Sequence, residues 1–339
     1  MVSTIKDVAK MADVSISTVS RVINDSKPVS PEAKRRVLHA IEVLDYRPNE
    51  VARSLVTKKS NLIGVIVDDI GSAYVSKILR GVEEVGRMYK YDILLCSSYK
   101  DAETELKFAK LLAQKQVEGI MVISSNLNQK LLYKLEESRI PYITINKFYN
   151  MEEDLTVRIN YEDISYEMVN YLVEMGHKKI SSVVIQKDLD RTEEKYKLTG
   201  YRKSISENNL EESIIYTDGI TEEDILKISN KIDKEIEKGT TALFCSQDEI
   251  AIHIINYLVD KGIKVPEDIS VTGFGGTDIT EIYRPKLTTV RISYYDIGAV
   301  AIRRILKRIE NKEKDEKVEV IKLPVQIVKR DSVKDLNKA

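Results

Sequence analysis

The sequence is poor in the residues that mark several protein classes. Its 339 residues include no Trp, two Cys, 14 Gly and 7 Pro, while 42% are hydrophobic and 32% are charged. This composition excludes collagen-like, disulfide-rich and low-complexity chains. No apolar run reaches the roughly 18 residues of a membrane span, and the charged N-terminus lacks the apolar core of a signal peptide. We therefore expect a cytoplasmic globular protein of two or three domains, at about 150 residues each.

Motifs that carry catalytic chemistry are also missing. The sequence has no G-x-S-x-G, no P-loop, no H-E-x-x-H and no C-x-x-C, and its three histidines, at 39, 177 and 253, lie far apart. Cys96 and Cys245 each end an apolar run, as reduced cysteines at strand ends do. Residues 273–276 (GFGG) follow a strand pattern but lack the third glycine of a dinucleotide fingerprint. We expect no enzymatic activity, no cofactor and no metal site.

Charge is distributed unevenly along the chain. Residues 1–60 contain 11 Lys and Arg against 7 Asp and Glu, a net charge of +4, whereas the remaining residues carry a net charge of −5. A basic segment in an otherwise acidic protein favours contact with a polyanion. Many solvent-exposed helices carry a similar excess of positive charge. The spacing of the residues must therefore show whether this segment binds a polyanion.

The first sixty residues have the pattern of three short helices. Thr4 and Asp7 form a T-x-x-D capping box, and apolar residues follow at helical spacing to about Met11. Asp13-Val14-Ser15 is typical of a tight turn in which Ser15 caps the second helix, and Ser30-Pro31 opens the third. Two short helices joined by so tight a turn predict a helix-turn-helix.

From Leu62 onward, apolar strand patterns alternate with longer helical patterns. Predicted strands cover residues 62–67, 91–96, 119–123, 141–145, 180–185, 241–245 and 269–273, and predicted helices cover 74–89, 102–115, 162–176, 193–208, 221–238 and 249–262. Such alternation is typical of parallel sheets covered by helices on both faces. About 270 residues of it predict two doubly wound α/β lobes.

The second helix of a helix-turn-helix enters the major groove of DNA. Arg21 can pair with guanine through two hydrogen bonds or bind a phosphate, Ile16 offers an apolar contact to a thymine methyl group, and Ser17 lies beside them. The residues predicted to position the helix on DNA are Thr4, Ser15, Thr18, Ser20 and Asn24. A three-helix protein-interaction module shares this spacing and is the alternative.

Two segments, residues 4–25 (TIKDVAKMADVSISTVSRVIND) and 29–55 (VSPEAKRRVLHAIEVLDYRPNEVARSL), resemble the DNA-binding headpiece and hinge of the LacI/GalR family of bacterial transcription regulators. The resemblance continues through LRGVEE, GHKKI, residues 241–274 and RPKLTTV, and so covers nearly the whole chain. One departure is Asp13, where many members carry glycine; we expect the turn to tolerate it.

The resemblance implies a division of labour between residues 1–60, a headpiece with a hinge helix, and residues 61–339, an effector-binding and dimerisation domain. Asn49–Val56 is similar to a hinge helix that folds only when it pairs with its dimer mate on DNA, and Asn49, Ala52 and Arg53 are its further DNA-binding residues. Leu55 matches the family's leucine wedge, which unstacks a central base step and bends the duplex. Packing of Leu55 within the hinge is the alternative.

The remaining chain is similar to the periplasmic-binding-protein type I fold, with two lobes, three chain crossings and an effector cleft between the lobes. We place the crossings near residues 160, 291 and 322. The resemblance implies a homodimer on a pseudo-palindromic operator, because such an operator mirrors a two-fold axis.

Three substitutions distinguish the cleft from sugar-binding members of the family: Lys197 stands for an arginine, Gly275 for an aspartate and Gln247 for an asparagine. The predicted effector-binding residues are Ser72, Tyr74, Asn146, Lys197, Gln247, Gly275 and Tyr294. Their chemistry suits a sugar or sugar phosphate. Each residue taken singly also fits lobe packing or a solvated rim.

Residues 294–306 (YYDIGAVAIRRIL), 88–95 and 114–124 resemble the catabolite control protein branch of the family, whose regulator is the serine-phosphorylated phosphocarrier HPr. Tyr295, Asp296 and Arg303 match its docking segment, and an exposed arginine suits a phosphoserine. The same residues also fit an ordinary helix start. Two further classes are a sugar receptor without a DNA function, which the headpiece contradicts, and a sugar-active enzyme, which the missing catalytic cluster contradicts.

Overall fold

A computed structural model gives the structure of residues 3–25, 27–46, 59–124, 128–146, 157–186, 189, 193–310, 321–323 and 325–338. The chain divides into two units, Met1–Ser60 and Asn61–Ala339. Within the described residues, no helix combines the length and the apolar character required to cross a membrane.

In residues 3–25 and 27–46 of the first unit, three helices surround a small apolar core. Val8, Val19 and Val37, one from each helix, are fully buried in it. Asp13 follows the first helix with a φ of 50°, in the left-handed region, and its side-chain type tolerates this conformation. The helices are α1 (Ile5–Ala12), α2 (Ile16–Asn24) and α3 (Pro31–Val43). They confirm the predicted helix-turn-helix.

The second unit begins with a four-stranded parallel sheet of order β2-β1-β3-β4. Apolar residues fill β1 and β3 because helices cover both faces of the sheet. The elements of this first lobe are β1 (Leu62–Val67), α4 (Ala73–Met88), β2 (Asp92–Ser97), α5 (Ala102–Gln114), β3 (Gly119–Ser124), α6 (Gln129–Ser138) and β4 (Tyr142–Asn146).

The second lobe is built on a six-stranded sheet of order β12-β10-β9-β8-β6-β7, in which only the pairing of β12 with β10 is antiparallel. Its elements are α7 (Tyr161–Glu174), β6 (Ile180–Ile185), α8 (Glu193–Glu207), β7 (Ser213–Thr217), α9 (Glu222–Glu237), β8 (Ala242–Cys245), α10 (Asp248–Asp260), β9 (Ser270–Gly275), α11 (Ile279–Ile282), β10 (Thr288–Ile292) and, later in the chain, β12 (Val325–Val328).

The chain passes between the lobes three times. The first and third passages are the short strands β5 (Val157–Arg158) and β11 (Ile321–Lys322), which pair in parallel. Between them, α12 (Tyr294–Glu310) leaves the end of β10 and packs along α4 of the first lobe. These passages lie where the sequence places the crossings, and the two-lobed α/β fold is confirmed.

Tyr201 joins α8 to the sheet of the second lobe. Its fully buried hydroxyl lies 2.9 Å from the carbonyl oxygens of Ile180 and Ser213, and it accepts a hydrogen bond of 2.9 Å from the Ser213 N–H. Tyr201→Phe should lower the free energy of unfolding by about 1–3 kcal/mol, because buried backbone groups lose their partner. Urea denaturation measures the effect. Tyr133→Phe, at a side chain that is 68% exposed, is the control; equal values for both variants would contradict this role.

Candidate functional sites

Helix α2 begins at Ser15, whose side chain organises the first turn. Its Oγ accepts a hydrogen bond of 3.1 Å from the Thr18 N–H and lies 2.8 Å from both Ser17 Oγ and Thr18 Oγ1. The backbone φ and ψ of Ser15 are extended, as an N-cap requires. The N-terminal end of α2 therefore presents three neighbouring hydroxyl groups, which are suitable donors to DNA phosphates.

The predicted DNA-reading residues share the exposed face of α2. Ile16 is 45% exposed although it is a large apolar side chain, and Ser17 and Arg21 are exposed as well. The opposite face carries Val19 and Val22 into the core. This division follows from helical periodicity, and it leaves a polar and an apolar contact group together on one outward face.

The predicted positioning residues flank this face. Asn24 donates a hydrogen bond of 2.9 Å to the carbonyl oxygen of Ser20. Thr4 precedes α1, and its N–H and hydroxyl both donate to the Asp7 carboxylate, at 2.8 and 2.7 Å. These hydrogen bonds lower the pKa of Asp7, so the carboxylate is held ionised at the helix N-terminus.

A groove of about 370 Å³ lies beside Arg21 in the first unit. Within it, Lys34 pairs with Asp25 at 3.4 Å, between two exposed side chains. The residues that line it are Arg21, Val22, Asp25, Lys27, Pro28, Val29 and Lys34. Three of the seven are cationic, so this edge of the unit continues the basic character of α2.

Several predicted site residues lie beyond what the structure shows. The hinge residues Asn49, Ala52, Arg53 and Leu55 are outside the described residues. Asn146 is the last residue of β4, and its side chain is not described. Their roles stay predictions.

In the second unit, the structure brings two of the predicted effector residues together. The Tyr74 and Tyr294 rings lie 5.8 Å apart at an angle of 45°. Ser72 is the N-cap of α4 and Gln247 the N-cap of α10, and neither side chain makes a capping hydrogen bond. Nearby, Lys77 of the first lobe pairs with Asp278 of the second at 2.8 Å.

Lys197 is buried on α8 with 3% of its surface exposed. Its ammonium donates to Glu194 Oε1 at 2.9 Å and to the carbonyl oxygen of Ser246 at 2.8 Å, and it lies 3.9 Å from Glu193 Oε1. The same ammonium is 4.5 Å from the centroid of the Phe274 ring. Burial of a lysine is tolerated here because carboxylates, a carbonyl and an aromatic face replace its water.

Gly275 lies next to a carboxylate that sequence reasoning missed. Asp248 is fully buried and accepts hydrogen bonds from the Thr277 N–H at 2.8 Å, the Thr277 hydroxyl at 2.9 Å and the Thr289 hydroxyl at 2.5 Å. Gly275 has a φ of 134°, and a methyl group there would lie 3.2 Å from Asp248 Oδ2. A side chain at position 275 would therefore be strained and crowd this carboxylate.

Titration of Asp248 should be visible in the stability of the protein. Burial raises its pKa above the ordinary value of 3.8. The folded state then binds this proton more tightly than the unfolded chain does, so the Asp248 contribution to stability falls as the pH rises through the folded-state pKa. The Asp248→Asn variant lacks this titrating group. When the pH is raised from about 4 to about 7, the thermal midpoint of the variant should therefore fall less than that of the native protein. Parallel pH profiles would contradict this assignment.

The predicted docking residues lie on the outer side of α12. The Tyr295 hydroxyl donates to Glu84 Oε2 of α4 at 2.8 Å, and this hydrogen bond raises the pKa of Tyr295. Arg303 is exposed, and Asp296 accepts a hydrogen bond from the Ser293 hydroxyl. The side chains of Tyr295 and Arg303 are thus displayed on the surface of the first lobe, next to the exposed Arg80 of α4.

The acidic and aromatic partners of Lys197 are not among the predicted site residues; they are Tyr161, Glu193, Glu194 and Phe274. The spacing Glu193-Glu194-x-x-Lys197 was a detectable signal, because residues three and four apart meet on a helix. Cys96 and Cys245 are buried and free, and burial raises the pKa of both thiols. Among the described residues, no group of His, Cys, Asp and Glu side chains is arranged to hold a metal ion.

Comparisons with protein families and curated relatives agree over the whole chain. The family "Bacterial regulatory proteins, lacI family" matches residues 4–49, and the "Periplasmic binding protein-like domain" matches residues 169–333. Catabolite control protein A of Priestia megaterium is 35% identical over 98% of this chain and 99% of its own. The transcriptional regulator RegA of Clostridium acetobutylicum is 38% identical over 98% and 100%. The repressor PurR of Vibrio atlanticus is 33% identical over 99% and 100%.

Solved structures share the fold. The lac repressor dimer bound to operator and an anti-inducer superposes with a TM-score of 0.85 at 23% identity, covering 98% of this chain and 100% of that one. The regulator CelR in complex with cellobiose has a TM-score of 0.71 at 23% identity, covering 97% and 99%. Because relatives at 33–38% identity cover almost the entire chain, this protein belongs to the lacI family of bacterial regulatory proteins.

Proposed function

We propose that this protein represses transcription by binding a pseudo-palindromic operator as a homodimer, under the control of a sugar that binds between the lobes of residues 61–339. Residues 1–60 supply the DNA contacts. Within them, α2 reads the major groove, and Asn49, Ala52, Arg53 and Leu55 of the hinge segment contact the minor groove. This function belongs to the cytoplasm, where the bacterial chromosome is.

The observation that carries the proposal is the exposed face of α2. A large apolar side chain, Ile16, remains 45% exposed beside an exposed arginine and several hydroxyls. Each of these side chains has a counterpart on DNA: the isoleucine suits a thymine methyl group, the arginine suits a guanine edge, and the hydroxyls suit phosphates. A three-helix protein-interaction module is the alternative, and it would need the Ser15 cap as well.

The second unit supports control by a small molecule. Tyr74 of α4 and Tyr294, the first residue of α12, bring their rings within 5.8 Å of each other, and such rings suit stacking on a sugar. A ligand that prefers one arrangement of the lobes shifts the population of the operator-binding state by the difference in its affinities. The cellobiose complex of CelR, which shares this fold, gives a first sugar to test.

Footprinting tests the proposal. Duplexes from the region upstream of its own gene are incubated with the purified full chain, with and without cellobiose and ribose. We expect one protected segment with two-fold symmetry, and protection should change with at least one sugar. Uniform protection along every duplex, or none, would overturn the DNA function. A symmetric footprint that no sugar alters would overturn only sugar control.

The surface of α12 favours a second regulator of operator binding, a phosphorylated protein partner. Arg303 is exposed two turns after Tyr295 on α12, and an exposed arginine is suited to a phosphoserine on a protein partner. Serine-phosphorylated HPr is the candidate, since a catabolite control protein is among the relatives. Phosphorylated HPr should strengthen the footprint and unphosphorylated HPr should not, and Arg303→Ala should remove the difference. Equal effects of both forms of HPr would exclude this controller.

A further inference from the structure

A carboxylate lies among the cations of the groove beside Arg21 in the first unit. This groove, of about 370 Å³, is lined by Arg21, Lys27 and Lys34 and also by Asp25. Arg21 is the arginine of α2 that is proposed to read bases, so the groove borders the face that enters the major groove of DNA. A phosphate of the DNA backbone is attracted by the three cations and repelled by Asp25.

The position of Asp25 is fixed by the end of α2. Asp25 follows the last residue of the helix with a φ of 46° and a ψ of 34°, and its N–H donates to the carbonyl oxygen of Arg21. Asp and Asn adopt this left-handed conformation more readily than most residues with a side chain. Asparagine can therefore replace Asp25 without a change of the backbone, and the substitution removes only the charge.

Asp25 is paired with one of the cations of the same groove. Its Oδ1 lies 3.4 Å from the Nζ of Lys34, which belongs to the start of α3, and the two side chains are 90% and 50% exposed. A strong charge-assisted hydrogen bond is shorter, at about 2.7–2.9 Å. Because the pair is long and open to solvent, it is weak, and a DNA phosphate can take the place of the carboxylate.

This exchange of partners is less favourable than an ordinary lysine contact to DNA. When Lys34 turns from Asp25 to a phosphate, the carboxylate loses its partner and lies close to the negatively charged backbone. A lysine that neutralises a phosphate releases counter-ions from the DNA, whereas the abandoned carboxylate takes a cation up. Asp25 therefore lowers both the affinity for DNA and its dependence on salt.

We infer that Asp25 limits sequence-independent binding to DNA: it competes with the phosphate backbone for Lys34 and weakens binding to operator and non-operator duplexes by the same factor. Asp25 is thus a positioning residue that acts through Lys34. The inference rests on the proposed DNA-binding function of residues 1–60. It concerns the strength of the backbone contact, whereas base reading stays with the exposed face of α2.

Fluorescence anisotropy with the full chain measures this effect on the footprinted duplex and on a scrambled duplex, over a series of salt concentrations. Asp25→Asn should strengthen binding to both duplexes about two- to fivefold at physiological salt. The plot of log affinity against log salt concentration should become steeper, by up to about 0.9 for each half-site. Unchanged affinities and slopes would overturn the inference, and so would a changed ratio of the two affinities, which would place Asp25 in base reading.

Two further variants separate competition for Lys34 from a general effect of charge. Glu42→Gln removes one negative charge from an exposed position of α3 that is not among the residues lining the groove, and its gain in affinity should be smaller than that of Asp25→Asn. In a Lys34→Ala background, the gain from Asp25→Asn should fall to that of Glu42→Gln. An equal gain with and without Lys34, or an equal gain in Glu42→Gln, would overturn the inference.

The same titrations distinguish failure of this inference from failure of the proposed function. If the native chain binds both duplexes equally, sequence-specific recognition fails, while the effect of Asp25→Asn is still measured on the scrambled duplex. If the native chain prefers the footprinted duplex and Asp25→Asn changes neither affinity, only the inference fails. Absence of binding to either duplex would overturn both.

Discussion

Arg21→Ala should weaken operator binding by about tenfold to a hundredfold for each half-site, while binding to a scrambled duplex falls much less. Arg21 lies on the exposed face of α2, so its removal costs no core packing. Alanine cannot make the two hydrogen bonds that arginine makes to guanine, so binding to the operator falls. On a scrambled duplex, Arg21 could contact only phosphate, and its loss there removes one of several phosphate contacts. Fluorescence anisotropy on both duplexes at one fixed salt concentration gives the ratio.

Arg35→Ala is the matched control for this prediction. Arg35 is also an exposed arginine of the first unit, but it lies on α3 and does not line the groove beside Arg21. Its removal should reduce binding to both duplexes by a similar small factor, because it changes only the net positive charge. Equal loss of selectivity in the two variants would contradict the assignment of α2 as the reading helix.

Gly81→Ala should destabilise the second unit by about 2 kcal/mol or more. Gly81 lies in α4 where that helix crosses α12, and a methyl group there would lie 2.1 Å from the carbonyl oxygen of Tyr295 and 2.9 Å from the Ala299 nitrogen. Both contacts are with backbone atoms, so a rotamer change cannot relieve them and the helices must move apart. The reciprocal glycine, Gly298 of α12, meets the carbonyl oxygen of Ile78 at 2.0 Å in the same way.

Gly86→Ala in the same helix should have the opposite effect and stabilise the second unit. A methyl group at Gly86 would meet its nearest neighbour, the Ile93 side chain, at an ordinary distance of 3.4 Å. Alanine is the better helix former, so the variant should gain about 0.5–1 kcal/mol. Thermal and urea denaturation of both variants test the pair, and a Gly81→Ala protein as stable as Gly86→Ala would contradict the close packing of α4 on α12.

The helix-turn-helix is predictable from the sequence because its signals are local. Ser15 and Ser30 cap helices within their own first turns, and the turn at Asp13 needs only its own residues. Strands β1 and β6 are equally clear, since the predicted ranges 62–67 and 180–185 coincide with the observed bounds, Leu62–Val67 and Ile180–Ile185.

Strands β7, β10 and β12 are absent from the sequence prediction, as are the two short strands between the lobes. Strand β10 shows the reason, because it begins with two threonines that are fully buried. The Thr288 N–H donates to the Ser332 hydroxyl and the Thr289 hydroxyl donates to Asp248, partners about 40 residues away. Polar residues enter a sheet when such distant partners satisfy them, and spacing along the chain does not reveal those partners.

Of the predicted effector residues, two lie in contact, whereas the environment of Lys197 was not predictable. Tyr74 and Tyr294 were expected together and lie together. The state of Lys197 depends on the end of β8, which supplies the Ser246 carbonyl, and on Phe274 of β9. Whether a lysine is free to bind a ligand is thus decided by tertiary contacts, although its neighbours on the helix are visible in the sequence.

The central claim, that the first unit recognises a specific DNA sequence, is tested most directly by one affinity ratio. The full chain is titrated onto the footprinted duplex and onto a scrambled duplex of the same length and composition, at physiological salt. The account predicts at least about a thousandfold preference for the footprinted duplex, as specific regulators show. Equal affinities for the two duplexes, falling together as salt is raised, would reduce the interaction to charge attraction and contradict the claim.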